Sequence, residues 1–137
     1  MRNPRAYVAG PITSSGILHT NLHNGIKVGE ELRQIGIDPF IPHLFDFTMI
    51  VTGHPVPWED ALRMDENWIT ACDLLVALPG ESKGKAREIA FAHARHIPVI
   101  ELRRNSIFEF ERVNVHEELQ DFNHRWKAMN HVSGTVS

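Results

Sequence analysis

The residue of this 137-residue chain best placed by type and spacing to do chemistry is a glutamate about one turn inside a helix that opens on Ser and Gly. The segment reads Pro79-Gly-Glu-Ser-Lys-Gly-Lys-Ala-Arg-Glu88. Free N–H groups at a helix start, with the positive end of its dipole, favour a phosphate near Ser82 and Gly84 and keep a nearby carboxylate ionised. An ionised Glu88 can attack an anomeric carbon as that carbon gains oxocarbenium character, forming a covalent sugar-enzyme intermediate. Read locally, the same residue is an acid that suits the dipole and pairs with Lys83 or Lys85. Asp65 is a second carboxylate, on a helical stripe shared with Ala61, Trp68, Ile69 and Cys72. Burying it there is costly unless it has partners or a task. Either it caps a loop or pairs with Arg63 or Arg87, or it faces the same cleft as Glu88. In the cleft it would position a sugar hydroxyl or handle the proton on a departing base.

A loop on another segment, Gly10-Pro-Ile-Thr-Ser-Ser-Gly16, brings two glycines and three hydroxyls together directly after a strand-like run. Its N–H groups and side-chain donors can converge on an anion or a sugar hydroxyl, and a Ser/Thr-rich turn before a helix is the plainer reading. It has neither the Gly-Lys-Ser/Thr of a nucleotide-triphosphate loop nor Gly-x-Gly-x-x-Gly. His43, Trp58 and Phe45 are placed to line a base site, the aromatic rings by stacking. His19 and His23 share a helix face without a third ligand or a zinc pattern, so no metal and no cofactor is expected.

These loops need a scaffold that brings strand ends together. Arg5–Ala9 reads as a strand stopped at Gly10-Pro11, and residues 19–35 as a helix stopped at Gly36, with Gly25 and Gly29 against it. Ile37–Ile41, interrupted by Pro39, suits a sheet edge. Pro57 opens a helix running to about Cys72, and Asp73–Leu78 is the apolar run of a strand covered on both faces. A helix from about Gly84 to Arg95, a strand at Ile97–Leu102 and an amphipathic helix over Asn114–Met129 complete the pattern. Alternating strands and helices predict an α/β, three-layer, flavodoxin- or Rossmann-like domain with a parallel sheet of four to five strands. Such sheets bind ligands beyond the carboxyl ends of the strands where strand order reverses, which selects the Gly10 and Pro79 loops.

With 42% hydrophobic and 23% charged residues, residues 1–131 fit one domain, and 132–137 read as a disordered tail. A net charge of -3 without a basic stripe argues against a nucleic-acid polymer or an anionic membrane as partner and for a small molecule. The lone Cys72 and an N-terminus without an apolar signal region lead to the expectation of a cytoplasmic protein. The last helix and Ile107–Phe110 offer apolar surface for a homodimer or higher homo-oligomer, or for covering the chain's own sheet.

Three segments in order, Tyr7-Val-Ala-Gly-Pro-Ile12, Asp65-Glu-Asn-Trp-Ile-Thr-Ala-Cys-Asp73 and Ser82-x-Gly84-x-x-x-Glu88, resemble the nucleoside 2-deoxyribosyltransferases and the related nucleoside-monophosphate N-glycosidases. The resemblance covers Tyr7 to about Ile100. It implies that Glu88 is the nucleophile, that Asp65 assists, and that Tyr7 lies beside the nucleophile. Ser82 is similar to the phosphate-binding Ser of the monophosphate hydrolases, and Gly10, Ile12, Thr13 and Ser14 would complete the phosphate or sugar site. Glu81 and the basic trio Lys83, Lys85 and Arg87 depart from that pattern. The implied activity is hydrolysis of the N-glycosidic bond of a (2′-deoxy)nucleoside 5′-monophosphate, releasing free base and (deoxy)ribose 5-phosphate. Base exchange by a deoxyribosyltransferase, cleavage of an NAD-type dinucleotide, and nucleotide sensing without turnover are the alternatives.

Overall fold

The computed structural model describes residues 2–11, 18–45, 48, 51–105, 112–113 and 116–136. β1 (Arg5–Ala9) leads to α1 (Leu18–Gln34), β2 (Asp38–Phe40) and a single 3-10 turn at Pro42–Phe45. α2 (Trp58–Thr70), β3 (Leu74–Ala77), α3 (Lys83–Ala94) and β4 (Val99–Glu101) follow, and α4 (His116–Val136) ends the chain. The four strands form one parallel sheet in the order β2-β1-β3-β4, the expected α/β architecture. β1 and β3 are neighbours, so the reversal in strand order falls between them.

Alternation along the strands divides the core into two layers. Ala6 and Val8 of β1 and Leu74 and Val76 of β3 point to one face, where they meet Val28 and Leu32 of α1 and Leu119 of α4. Tyr7, Ala9, Leu75 and Ala77 point to the other, where they meet Ile69 of α2 and Ala92 of α3. Every residue from Ala6 to Ala9 and from Leu74 to Ala77 is buried, as covering on both faces requires. β2 is a short edge strand, and Pro39, which pairs with Ala6, has no N–H to leave unpaired on the outer side.

α1 is the helix expected over residues 19–35, and two other features, a strand pair and the end of α4, differ from the sequence expectation. α1 runs unbroken through Gly25 and Gly29 because each glycine admits a neighbour: a Cβ on Gly25 would sit 2.7 Å from the His43 ring, and one on Gly29 would collide with Ile41. A two-residue antiparallel pair, β5 (Arg104–Asn105) with β6 (Arg112–Val113), lies outside the main sheet, and nothing in the apolar pattern announced it. α4 continues to Val136, so its backbone is helical through most of the segment read as a disordered tail.

Candidate active site

Tyr7 points from β1 into the layer beneath α2 and α3, and its side chain is fully buried. A buried phenol needs a partner for its hydroxyl. It donates to Oε2 of Glu88, which α3 carries inward on its second turn. Asp65, half-buried on α2, is the other carboxylate facing this hydroxyl. Strand and both helices are thus needed to bring the three groups together, and they come from positions far apart in the chain.

Electrostatics follow from this burial. Loss of water pushes Glu88 up to about 8; the Tyr7 hydrogen bond opposes the rise, while the charges of Asp65 and Glu66 add to it. Burial pushes Asp65 up to about 6, again opposed by Tyr7 and assisted by Glu66. Tyr7 itself is raised well above its ordinary value, first by burial and then by the two carboxylates. The expectation that the helix dipole keeps Glu88 ionised therefore fails for the unliganded protein. Glu88 lies past the first turn, where the dipole fades, and desolvation outweighs it. Burial thus favours the protonated form of both carboxyls, and through Tyr7 they titrate as a coupled pair.

The local alternatives for both acids are not what forms. Lys85 turns its ammonium back to the carbonyls of Leu78 (3.1 Å) and Gly80 instead of reaching Glu88. Gly80, at φ 107, makes the turn that aims these carbonyls at the amine. Arg63 lies 3.9 Å from Asp60, and Arg87 lies 3.4 Å from Glu66 and 3.7 Å from Glu59, so the arginines engage neighbours of Asp65.

The strand ends and the start of α3 sit close to this trio. Ser82 is the N-cap of α3, extended in backbone, with Oγ accepting from the Lys85 N–H at 3.2 Å. Trp58 lies against Gly84: a Cβ there would meet the indole at 3.4 Å, and much of the ring is exposed. Gly10 is equally constrained, since its Cβ would sit 2.8 Å from Cβ of Leu78. Only glycine lets the chain leaving β1 pass the end of β3, where Leu78 N–H donates to Ala9 at 2.7 Å.

Other predicted residues are distributed differently. His43 is completely enclosed against Gly25, beside Pro11. Among the described residues neither ring nitrogen has a well-formed hydrogen bond, and burial lowers the imidazole to about 4, with the Pro11 carbonyl opposing. Ile12, Thr13 and Ser14 lie outside the described residues. Sequence reasoning missed a column of rings: Tyr7 stacks on Phe40 at 5.7 Å, and Phe40 stacks on Trp68 at 4.4 Å, with Phe45 alongside. Trp68 one turn after Asp65 was the available signal. Among the described residues no group of His, Cys, Asp and Glu is arranged to hold a metal, and no helix is long and apolar enough to cross a membrane.

A family described as a domain of unknown function, DUF4406, matches residues 4–101. Comparison with curated proteins gives no match. Among solved structures, a conserved protein from Enterococcus faecalis V583 superposes with a TM-score of 0.60 at 28% identity, over 76% of this chain. The aligned part is 65% of that protein, so the chain spans just under two-thirds of its length. A 2-desoxiribosyltransferase from Leishmania mexicana superposes with a TM-score of 0.50 at 19% identity, over 82% of this chain and 79% of its own. The fold is the one the sequence resemblance implied.

Proposed function

The chain belongs to the DUF4406 family, and from that premise and the geometry of its buried acids we propose that it cleaves the N-glycosidic bond of a nucleoside 5′-monophosphate through Glu88. The observation that carries this reading is that Glu88 and Asp65 share the enclosed Tyr7 hydroxyl. Glycosyl transfer with retention needs one carboxylate to attack and one proton to give away, and two carboxyls coupled through one hydroxyl can supply both.

In the first step a Glu88 oxygen bonds to C1′ as the bond to the base breaks, and the base leaves with the electron pair and takes a proton. The Tyr7 hydroxyl, donating to Glu88 and free to accept from Asp65, lets the shared proton reside on Asp65 while Glu88 attacks. In the second step water, losing a proton to Asp65, which gave its own to the base, displaces Glu88 from C1′, giving the sugar 5-phosphate and the free Glu88 carboxylate. Ser82 and the first N–H groups of α3 suit the phosphate, and Gly10 with Ile12, Thr13 and Ser14 is assigned to the sugar and phosphate. Trp58, against Gly84, provides a ring face beside the same helix start. His43, enclosed as it is, supports the loop that leaves β1. No cofactor or metal enters this mechanism.

Likeness to a deoxyribosyltransferase fold supports a second outcome, transfer of the sugar to another base. The test is a screen of nucleoside monophosphates and free nucleosides for base release, read by chromatography, with and without an acceptor base. We expect monophosphates to release base without an acceptor and Glu88→Ala to abolish release. Normal turnover by Glu88→Ala would reject the assignment. Release only with an acceptor would replace hydrolysis by transfer. In a substrate complex C1′ should lie roughly 3–3.5 Å from a Glu88 oxygen. The small-molecule site is proposed for a cytoplasmic homodimer or higher oligomer, which sedimentation of the purified protein tests.

A further inference from the structure

Each catalytic carboxylate is followed or preceded in sequence by a charged residue that reaches the other helix. Arg87 precedes Glu88 on α3, and Glu66 follows Asp65 on α2. Arg87 Nε lies 3.4 Å from Glu66 and its Nη1 lies 3.7 Å from Glu59, two helical turns earlier on α2. One guanidinium therefore spans α2 and α3 at the level where their acids meet Tyr7. We propose that Arg87 is a positioning residue that straps α3 to α2 through Glu66 and Glu59, fixing the Asp65–Tyr7–Glu88 cluster and offsetting the charge of Glu66 upon it. The proposal rests on the catalytic reading above only for its effect on turnover; the strap and its electrostatic effect stand on the ion pairs.

The groups facing Glu88 are Tyr7 from β1 and Asp65 and Glu66 from α2. On its own helix, Lys85 is committed to the carbonyls of Leu78 and Gly80, while Arg87 pairs with Glu66 of α2. Glu66 raises both acids, so its partner sets how strongly they hold their proton. The side chain of Arg87 is 47% exposed and that of Glu66 27%, so salt must weaken the coupling.

Tyr7 is the sole tyrosine of the chain and touches the cluster directly, which makes it a reporter that works without substrate. The experiment is a pH titration of the full chain carrying 13C at the tyrosine ζ carbon, followed by NMR for wild type, Arg87→Ala, Arg87→Lys and Glu66→Gln. Arg87→Ala should move the carboxylate inflection to higher pH by a few tenths of a unit, on the order expected for a screened ion pair. Glu66→Gln should move it to lower pH, and Arg87→Lys should stay near wild type. The shifts should shrink in 1 M salt. In kinetics Arg87→Ala should lower kcat severalfold with a smaller change in KM and shift the pH profile in the same alkaline direction. Inflections unchanged in both Arg87→Ala and Glu66→Gln would overturn the strap, as would equal shifts at high and low salt. If no variant and no wild type releases base, the catalytic reading fails while the titration still decides the strap.

Discussion

His43 and Glu88 are both buried titratable side chains, held on opposite faces of one sheet: His43 against α1, Glu88 between β1, α2 and α3. Burial drives each toward its neutral form, lowering the imidazole to about 4 and raising the carboxyl to about 8. Their surroundings differ. His43 is packed against a glycine, where burial lowers it and, among the described residues, the Pro11 carbonyl opposes, whereas Glu88 is tied by a hydroxyl to a second acid. Burial alone thus makes a neutral side chain; burial joined to a second group that can take the proton makes a place where a proton can be moved.

The strongest way to break this comparison is to remove Glu88 itself. Glu88→Ala should lose about a thousandfold or more of base release, the scale of deleting a nucleophile. Next come the opposite stability slopes of the two groups. Glu88, raised from 4.5, favours the folded state when protonated, so its contribution is complete below about pH 4.5 and is lost as pH rises to about 8. The full loss is on the order of 5 kcal/mol. Glu88→Gln should therefore be more stable than wild type in denaturant at pH 8, with the gap closing by pH 5.

His43 has the reverse sign. Its folded value lies below 6.5, so stability is lost as pH falls from about 6.5 to about 4, by on the order of 3 kcal/mol. His43→Leu should flatten that acid-side loss, and an unchanged acid slope would show that the ring does not remain neutral in the fold. A smaller effect sharpens the packing half of the contrast. Gly25→Ala puts a Cβ 2.7 Å from the imidazole and should cost about 1–3 kcal/mol, read as a lower Tm. The mildest test is Tyr7→Phe, which removes the bond that lowers both acids and should move the pH profile up by about one unit.

The parts of this molecule that depend on neighbours in sequence were readable from it. The unbroken run Leu74–Leu78 announced a doubly covered strand, Pro39 an edge, and Ser82 a helix start. Asp65 on an apolar stripe called for a partner, and the structure turns it toward Tyr7. What required three dimensions was not readable. The charge of Glu88 was judged from the helix it stands on, but its surroundings are supplied by β1 and α2. His43 looked like a lining residue because nothing local reveals that Gly25 receives its ring. The Phe40–Trp68 stack and the Arg87 pairs join segments whose contact depends on the packing of α2, and spacing along the chain does not encode that.

The Tyr7–Glu88 bond spans 81 positions. Closing so long a loop costs chain entropy that the packing of β1, α2 and α3 must offset. The acid pair therefore exists only where β1, α2 and α3 are packed together, and loosening α3 alone is enough to separate it.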